Sequence, residues 1–199
     1  MLRALRSRLA DGVYAPGEAL AIVELAQEFE FSTTPIREAL GWLAGEQVIE
    51  ERRGAGFSCW RVEYDLLLSL YDLHEAYVRL ALQSLGARRD LGVLIESGEA
   101  PAGAEPIRQA ARTFRSLVAA SGNMPLFQAH GALTVRLGNI RRAENAVLLD
   151  QHGELAAFEA VDWNCEALSA WTTRYHRVRR DHAAETLKHM ASGQIYYRI

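Results

Sequence analysis

The side chains that could act as nucleophiles or structural metal ligands are few and scattered. The chain of 199 residues has two cysteines, Cys59 and Cys165, far apart and outside any C-x-x-C pattern. That spacing favours neither a disulfide framework nor a zinc knuckle, so both are predicted to be small buried hydrophobic residues. The sequence also lacks G-x-S-x-G, H-E-x-x-H and P-loop motifs, and no G-x-G-x-x-G follows a strand. We therefore predict that the protein is not an enzyme and needs no cofactor.

The histidines offer no clear catalytic pattern either. His182 and His189 are seven residues apart and could share a helix face, but arginines and a lysine surround them. A solvated basic helix explains them better than a ligand pair. Nothing in the sequence brings a histidine to Cys165, so a Cys–His nucleophile is not predicted.

The elements that could carry a binding surface are clearest in the first 62 residues. Apolar residues at helical spacing predict three short helices, the first ending at Asp11-Gly12, the second over about 22–29 and the third from 32–35 to Gly45. Residues 48–51 and 57–62 alternate and predict a β-hairpin. This order is typical of a winged helix-turn-helix, whose third helix can enter a major groove of DNA.

The rest of the chain is predicted to be helical. The predicted helices cover 63–86, 88–97, 105–121, 124–146, 148–161, 164–181 and 182–191, and residues 194–199 form a β-prone tail. The predicted fold is thus mainly α, with a winged helix-turn-helix over 1–62 followed by an all-helical bundle over 63–199.

Composition narrows the class of protein further. The 22 Lys and Arg against 25 Asp and Glu give a net charge of −3, which excludes a basic tail. The hydrophobic content of 49% is that of a globular protein, and the apolar runs are far too short to cross a membrane. The first residues do not resemble a signal peptide. The predicted location is the cytoplasm, with no membrane partner.

Two segments carry a resemblance to a known family. Residues 12–43 contain G-x-x-x-P-G-E-x-L, then L-A, then F-S-T-T-P-I-R-E-A-L-x-x-L, and this order closely resembles the DNA-binding domain of the GntR family of bacterial transcription regulators. Residues 114–126, F-x-x-L-x-x-A-S-G-N-x-x-L, resemble the central motif of the FadR subfamily. That subfamily has an all-helical domain that binds a small effector and supports dimerisation.

The resemblance implies which residues contact double-stranded operator DNA. The family places hydroxyls and an arginine of the third helix against phosphates and base edges. Those positions and their neighbours in the wing are Ser32, Thr33, Thr34, Arg37, Arg52, Arg53 and Gly54. Thr33 stands where the family commonly has a second arginine. Alternatively, Arg37 pairs with Glu30 or Glu38 on the surface.

The charge of this part of the chain weakens nonspecific DNA binding. Residues 1–62 contain seven arginines and nine acidic residues. Binding must therefore depend on the local placement of the arginines and on a homodimer that doubles the contacts.

The resemblance also implies an effector site with a degenerate metal centre. Many members hold a divalent ion with an Asp and a His four residues apart, and the matching residues here are Ala111 and Arg115. Neither can bind a metal, so no metal is predicted. Arg115 would instead supply the positive charge and pair with Glu154. The predicted effector is a small anionic or carbonyl-rich molecule, bound by His74, Arg115, Glu154 and His176.

The predicted function is a ligand-responsive regulator in which the effector shifts the placement of two winged domains. The first helix of the effector domain, over 63–86, is the expected coupler. One alternative is a protein-interaction module that does not bind DNA, and a more distant one is a metal-dependent enzyme.

Overall fold

The computed structural model describes residues 1–52, 54–86, 106–148, 154 and 165–192. Its elements are α1 (Leu2–Ala10), α2 (Ile22–Glu28), α3 (Thr33–Gly45), β1 (Glu50–Arg52), β2 (Gly56–Ser58), α4 (Tyr64–Leu85), α5 (Pro106–Ala120), α6 (Met124–Arg136), α7 (Gly138–Val147), α8 (Cys165–Asp181) and α9 (Ala183–Ala191). The predicted helix over 88–97, nearly all of that over 148–161 and the tail over 194–199 lie outside the described residues.

The predicted winged helix-turn-helix is confirmed. Strands β1 and β2 pair antiparallel with Glu51 opposite Phe57. The segment before α2 pairs with β2 and extends the hairpin, because the Leu20 amide donates to the Phe57 carbonyl at 2.8 Å. Gly17 in that turn has φ +76°, a backbone conformation that favours glycine.

Helix α3 begins at the predicted place. Ser32 is the N-cap residue, yet its hydroxyl makes no capping hydrogen bond. The α3 face that packs inward holds Ile36, Ala39, Leu40 and Leu43. Since Ser32, Thr33 and Thr34 are exposed, their hydroxyls remain available at the surface.

The helical part is built around α4. Helices α5 and α8 pack on it through a core with Phe114 at its centre, and α9 packs near its other end with α7. The C-terminal end of α6 also packs against the winged domain, because Val135 is part of the hydrophobic core that α1, α2, α3 and β2 form. The division into 1–62 and 63–199 stays a prediction. None of the described helices combines the length and apolar character that a membrane span requires.

The single helix predicted over 124–146 was wrong. The chain forms two helices, α6 and α7, that meet at Leu137. The backbone of Gly138 packs directly on the carbonyl end of α1, and the bend allows this contact. The spacing of apolar residues did not reveal the bend, because Leu133, Leu137 and Ile140 keep a helical period across it.

Candidate DNA-binding face and buried effector cluster

The N-terminal end of α3 presents an accessible polar surface. Arg37 is exposed and, among the described residues, forms no hydrogen bond or ion pair, so the predicted alternative of pairing with Glu30 or Glu38 is not observed. The free amides of the first helical turn face the same end and favour a phosphate. This geometry suits contact with a DNA backbone and base edge.

The wing is less free to bind an anion. The guanidinium of Arg52 donates to Glu50 at 3.0 and 2.7 Å, so its charge is already compensated. Gly54 lies at the exposed tip with φ +78°. Arg53 lies outside the described residues.

Two further arginines compensate acids on another side of the domain. Arg6 pairs with Glu46, and Arg8 pairs with Glu28.

Trp42 is 68% exposed on α3 beside Glu38 and Glu46. This apolar surface was not predicted.

Three histidines from three helices meet inside the helical part. His74 on α4, His130 on α6 and His176 on α8 are each at most 1% exposed. The Nδ1 atom of His74 lies 2.7 Å from Nε2 of His176, and Nε2 of His74 lies 3.2 Å from Nε2 of His130. His74 therefore stands between the other two rings.

The neighbours of these rings define where the protons lie. The Nδ1 atom of His176 is 2.7 Å from the Thr172 carbonyl, which can only accept, so this nitrogen carries the hydrogen. In its neutral form His176 then accepts at Nε2 from the Nδ1 hydrogen of His74. That leaves Nε2 of His74 as an acceptor, and Arg141 donates to it at 3.0 Å. The rings form an ordered chain of neutral imidazoles.

Burial keeps the rings neutral. Desolvation, together with smaller contributions from nearby arginines, lowers the pKa of His130 and of His176 to about 3. Desolvation also holds the pKa of His74 well below its usual range, and the charge of Arg141 acts in the same direction. The cluster therefore holds uncharged hydrogen-bonding groups next to a fixed cation.

Two buried arginines border the histidines in different surroundings. Arg179 donates to Glu144 at 2.9 Å and to both carboxylate oxygens of Glu154 at 2.9 Å. Tyr71 supports Glu144 by donating its hydroxyl at 2.7 Å. Arg141 is 4% exposed, and among the described residues its only hydrogen-bond partner is the neutral ring of His74. Only one of the two guanidinium charges is thus compensated within the described chain.

The predicted effector residues separate in the structure. His74 and His176 lie in direct contact, as the prediction that they share a site requires. Arg115 is exposed and stacks over the ring of Phe127, with 4.6 Å to its centroid. The predicted pair of Arg115 with Glu154 is wrong, because Glu154 pairs with Arg179. The charge of Arg115 still contributes to the lowered pKa of His130.

Sequence reasoning missed His130 and Arg141. A signal for His130 existed, since it follows Leu126 by four residues and precedes Leu133 by three on the buried face of α6. A histidine at such a position must lie in the core. Arg141 could not be placed, because the bend at Leu137 sets its direction.

The described residues do not fit the divalent ion that the resemblance suggests. No group of three or more His, Cys, Asp or Glu among them is arranged to hold a metal. Two nitrogens bound tetrahedrally to zinc are about 3.3 Å apart, whereas the 2.7 Å between His74 and His176 is a hydrogen-bond distance. Arg141, 3.0 Å from the other His74 nitrogen, would also repel a cation.

A winged helix-turn-helix joined to a helical bundle is an architecture that DNA-binding regulators use. The family model for bacterial regulatory proteins of the gntR family matches residues 2–58. The N-terminal part of the chain is therefore similar to the DNA-binding domain of the GntR family. The matching family model describes regulatory proteins and not enzymes.

A curated relative and two solved structures are similar to the chain. The Nta operon transcriptional regulator of Aminobacter aminovorans is 36% identical over 101 residues, covering 45% of this chain and 48% of the relative. The match thus spans about half the length of that relative. E. coli McbR/YncC has a TM-score of 0.67 at 21% identity, covering 92% of this chain and 95% of that one. A GntR transcriptional regulator from Rhodococcus sp. RHA1 has a TM-score of 0.62 at 16% identity, covering 94% and 95%. The two solved structures support the fold.

Proposed function

We propose that the protein regulates transcription by binding operator DNA through α3 and the wing, and that a small anionic effector bound in the helical part controls this binding. The observation that carries the proposal is the pairing of a GntR-type domain over residues 2–58 with a buried arginine in the helical bundle, Arg141, which no acidic side chain compensates among the described residues. The first supports DNA binding and the second supports a ligand.

The exposed end of α3 supports the DNA-binding part of the proposal. Ser32, Thr33 and Thr34 donate from the helix N-terminus to phosphates, while Arg37 reaches a base edge or a phosphate. Because Arg52 is held by Glu50, Arg37 carries more of the specificity than the wing does. Arg53 and Gly54 approach the adjacent backbone.

The surroundings of Arg141 support an anionic effector. A buried cation without a carboxylate partner is costly, and a bound carboxylate or phosphate would compensate it. His74 and His130 lie beside this guanidinium. The effector site therefore centres on Arg141, with His74 and His176 in the same cluster. Arg115 contributes charge from the rim, and Glu154 holds Arg179. The binding needs no metal, because the guanidinium supplies the positive charge.

Dimerisation belongs to the same proposal. Operator sites with two half-sites match a two-fold homodimer, and paired winged domains compensate for the scarce positive charge of each one. We assign the helical part to the FadR type and expect it to form the dimer. Light scattering of the full chain at tens of micromolar tests this, and a strict monomer with and without DNA would contradict it.

Recovery of genomic DNA bound to the full chain tests the DNA-binding function. We expect enrichment of a few two-fold symmetric sequences, lost in Arg37→Ala and kept in Arg3→Ala. Arg3 is a matched control because it is an exposed arginine on α1. No enrichment above the background of a tag-only sample would reject this function.

Thermal shift with succinate, citrate and inorganic phosphate tests the effector. Binding should raise the melting temperature of the wild type and of Arg112→Gln, an exposed arginine on α5, but not that of Arg141→Gln. Equal shifts in all three proteins would show that Arg141 does not bind the anion.

A second candidate function is protein interaction through the winged domain. The exposed Trp42 lies in a shallow groove on α3 with Gly41, Gly45 and two glutamates. Such a surface suits a basic protein partner more than DNA. Loss of DNA enrichment in Trp42→Ala, with the fold intact by circular dichroism, would assign this surface to DNA binding and contradict the protein-interaction role.

A further inference from the structure

At the bend between α6 and α7 the backbone of the helical part lies directly against the backbone of the winged domain. A Cβ atom built on Gly138 would lie 2.4 Å from the Leu9 carbonyl oxygen and 2.5 Å from that of Ala10. Both atoms belong to the backbone at the end of α1, so neither can rotate away. Only glycine allows α7 to begin at this distance from α1.

The contact is reciprocal. Gly12, which follows α1, has φ +66°, and a Cβ atom on it would lie 3.0 Å from the Gly138 carbonyl oxygen and 3.1 Å from Asn139. The guanidinium of Arg142 donates to the Gly12 carbonyl at 3.3 Å. Both backbones are therefore tightly matched at one point.

Neighbouring side chains extend the contact in both directions. Arg136, in the last turn of α6, stacks over Trp60 with 4.8 Å to the ring centroid. Val135 is buried in the core of the winged domain, whereas Leu133 belongs to the core of the helical part. The end of α6 thus serves two cores at once, and a shift of the bend must disturb both.

Helix α7 joins this contact to the buried cluster. Its Arg141 donates to His74, and its Glu144 pairs with Arg179 and accepts from Tyr71. Arg142, which follows Arg141 in the chain, donates to the Gly12 carbonyl. The helix has only ten residues, and a rigid secondary element of this kind can carry energetic coupling between two sites. A displacement at Arg141 is therefore a displacement at Gly138 and Arg142.

We propose that α7 transmits the state of the buried cluster to the winged domain, with the Gly138 contact on α1 as the point of transfer. This inference rests on the proposed effector site. It assigns the coupling to α7, in place of the α4 expected from the sequence. An anion that pulls on Arg141 would displace the carbonyl end of α1 and with it the packing of α3, since α1 and α3 share one core.

Amide hydrogen exchange of the full chain tests the transfer without a known effector. The perturbation is Arg141→Gln, which changes the cluster at its centre. We expect it to change the exchange rates of α1 amides by about fivefold or more in the wild-type background. In the Gly138→Ala background, where the α1 contact is forced apart, the same perturbation should leave α1 unchanged.

A matched glycine provides the control. Gly131 lies on α6, and a Cβ atom on it would meet nothing within 4 Å, so the transfer should persist in Gly131→Ala. If Gly138→Ala does not fold by circular dichroism, Arg142→Gln weakens the same contact by removing the hydrogen bond to Gly12, and the α1 response should then become smaller instead of being lost. An α1 response to Arg141→Gln that survives Gly138→Ala, that is undiminished in Arg142→Gln, or that is absent in the wild type, would overturn the proposal.

The result is separable from the proposed function. A gel shift with genomic fragments on the same proteins reports DNA binding. If the wild type fails to bind DNA but shows the exchange response, the proposed function fails and the transfer through α7 stands. If DNA binding is intact and the exchange response is missing, the transfer fails alone.

Discussion

Arg141 and Arg179 are both 4% exposed in the same bundle but have opposite surroundings. Arg179 is enclosed by Glu144 and Glu154, and its guanidinium also lies over the Tyr175 ring. Arg141 faces neutral imidazoles. A buried charge that the chain itself compensates holds the fold together, whereas one that the described chain leaves uncompensated favours a ligand.

The candidate DNA-binding face shows the same contrast at the surface. Arg52 is paired with Glu50, and Arg37 has no partner among the described residues. Water screens both side chains, so the contrast has little effect on stability here. It decides instead which arginine is free for a phosphate or a base.

The largest expected loss of stability is the one caused by acid pH, which protonates the His130 and His176 rings. His130 and His176 have a pKa of about 3 in the fold and 6.5 as ordinary histidines. Between these values the unfolded chain binds more protons, so stability falls as the pH falls below 6.5. Each ring should cost about 1.4 kcal/mol per pH unit. Urea unfolding from about pH 7 to pH 4 measures this loss.

The variant His130→Gln separates this effect from general acid denaturation. It removes one titrating ring whose pKa is lowered by burial and by the charges of nearby arginines, among them Arg141 and Arg115. The slope of stability against pH should become smaller by about 1.4 kcal/mol per unit. An unchanged slope would mean that the rings are not the source.

Removal of the compensated arginine should have the next largest effect. Arg179→Ala leaves the carboxylates of Glu144 and Glu154 without their partner, and we expect a loss of about 3–5 kcal/mol in the free energy of unfolding. Urea denaturation at neutral pH provides the measurement. Arg180→Ala is a control, since Arg180 makes more exposed ion pairs with Asp72 and Glu75. Similar losses in both variants would contradict the special role of Arg179.

On the DNA face the unpaired arginine should matter more than the paired one. Arg37→Ala should weaken operator binding by about 1–3 kcal/mol if the side chain contacts a base edge. Arg52→Ala should cost less, because Arg52 must first leave Glu50. Gel shifts at fixed salt, with the fold checked by circular dichroism, compare the two. A larger loss for Arg52→Ala would reverse the assignment.

The smallest effect on stability should come from the uncompensated arginine. Arg141→Met removes a buried cation without breaking an ion pair among the described residues, so stability should change by less than about 1.5 kcal/mol or increase. The loss should appear instead in the thermal shift with anions. A cost as large as that of Arg179→Ala would show that Arg141 has a structural role.

Local patterns in the sequence determined most of the elements. Helices α1, α3, α4, α5, α8 and α9 begin and end close to the predicted residues, because each has an apolar stripe and a glycine, proline or capping residue near its ends. The winged helix-turn-helix followed from their order. The P-G-E turn and the T-T-P-I-R-E segment revealed the resemblance to the GntR DNA-binding domain, because a short continuous motif can be recognised in the sequence without knowledge of the fold.

Tertiary structure alone decided the bend at Leu137 and the composition of the buried cluster. The cluster draws His74, His130, Arg141 and His176 from four helices, and their meeting depends on crossing angles that periodicity does not contain. The packing of the helices also determines that Glu154 pairs with Arg179 and that Arg115 lies outside the buried cluster. Charge pairing between distant residues depends on distance and burial, and both exist only after the helices have packed.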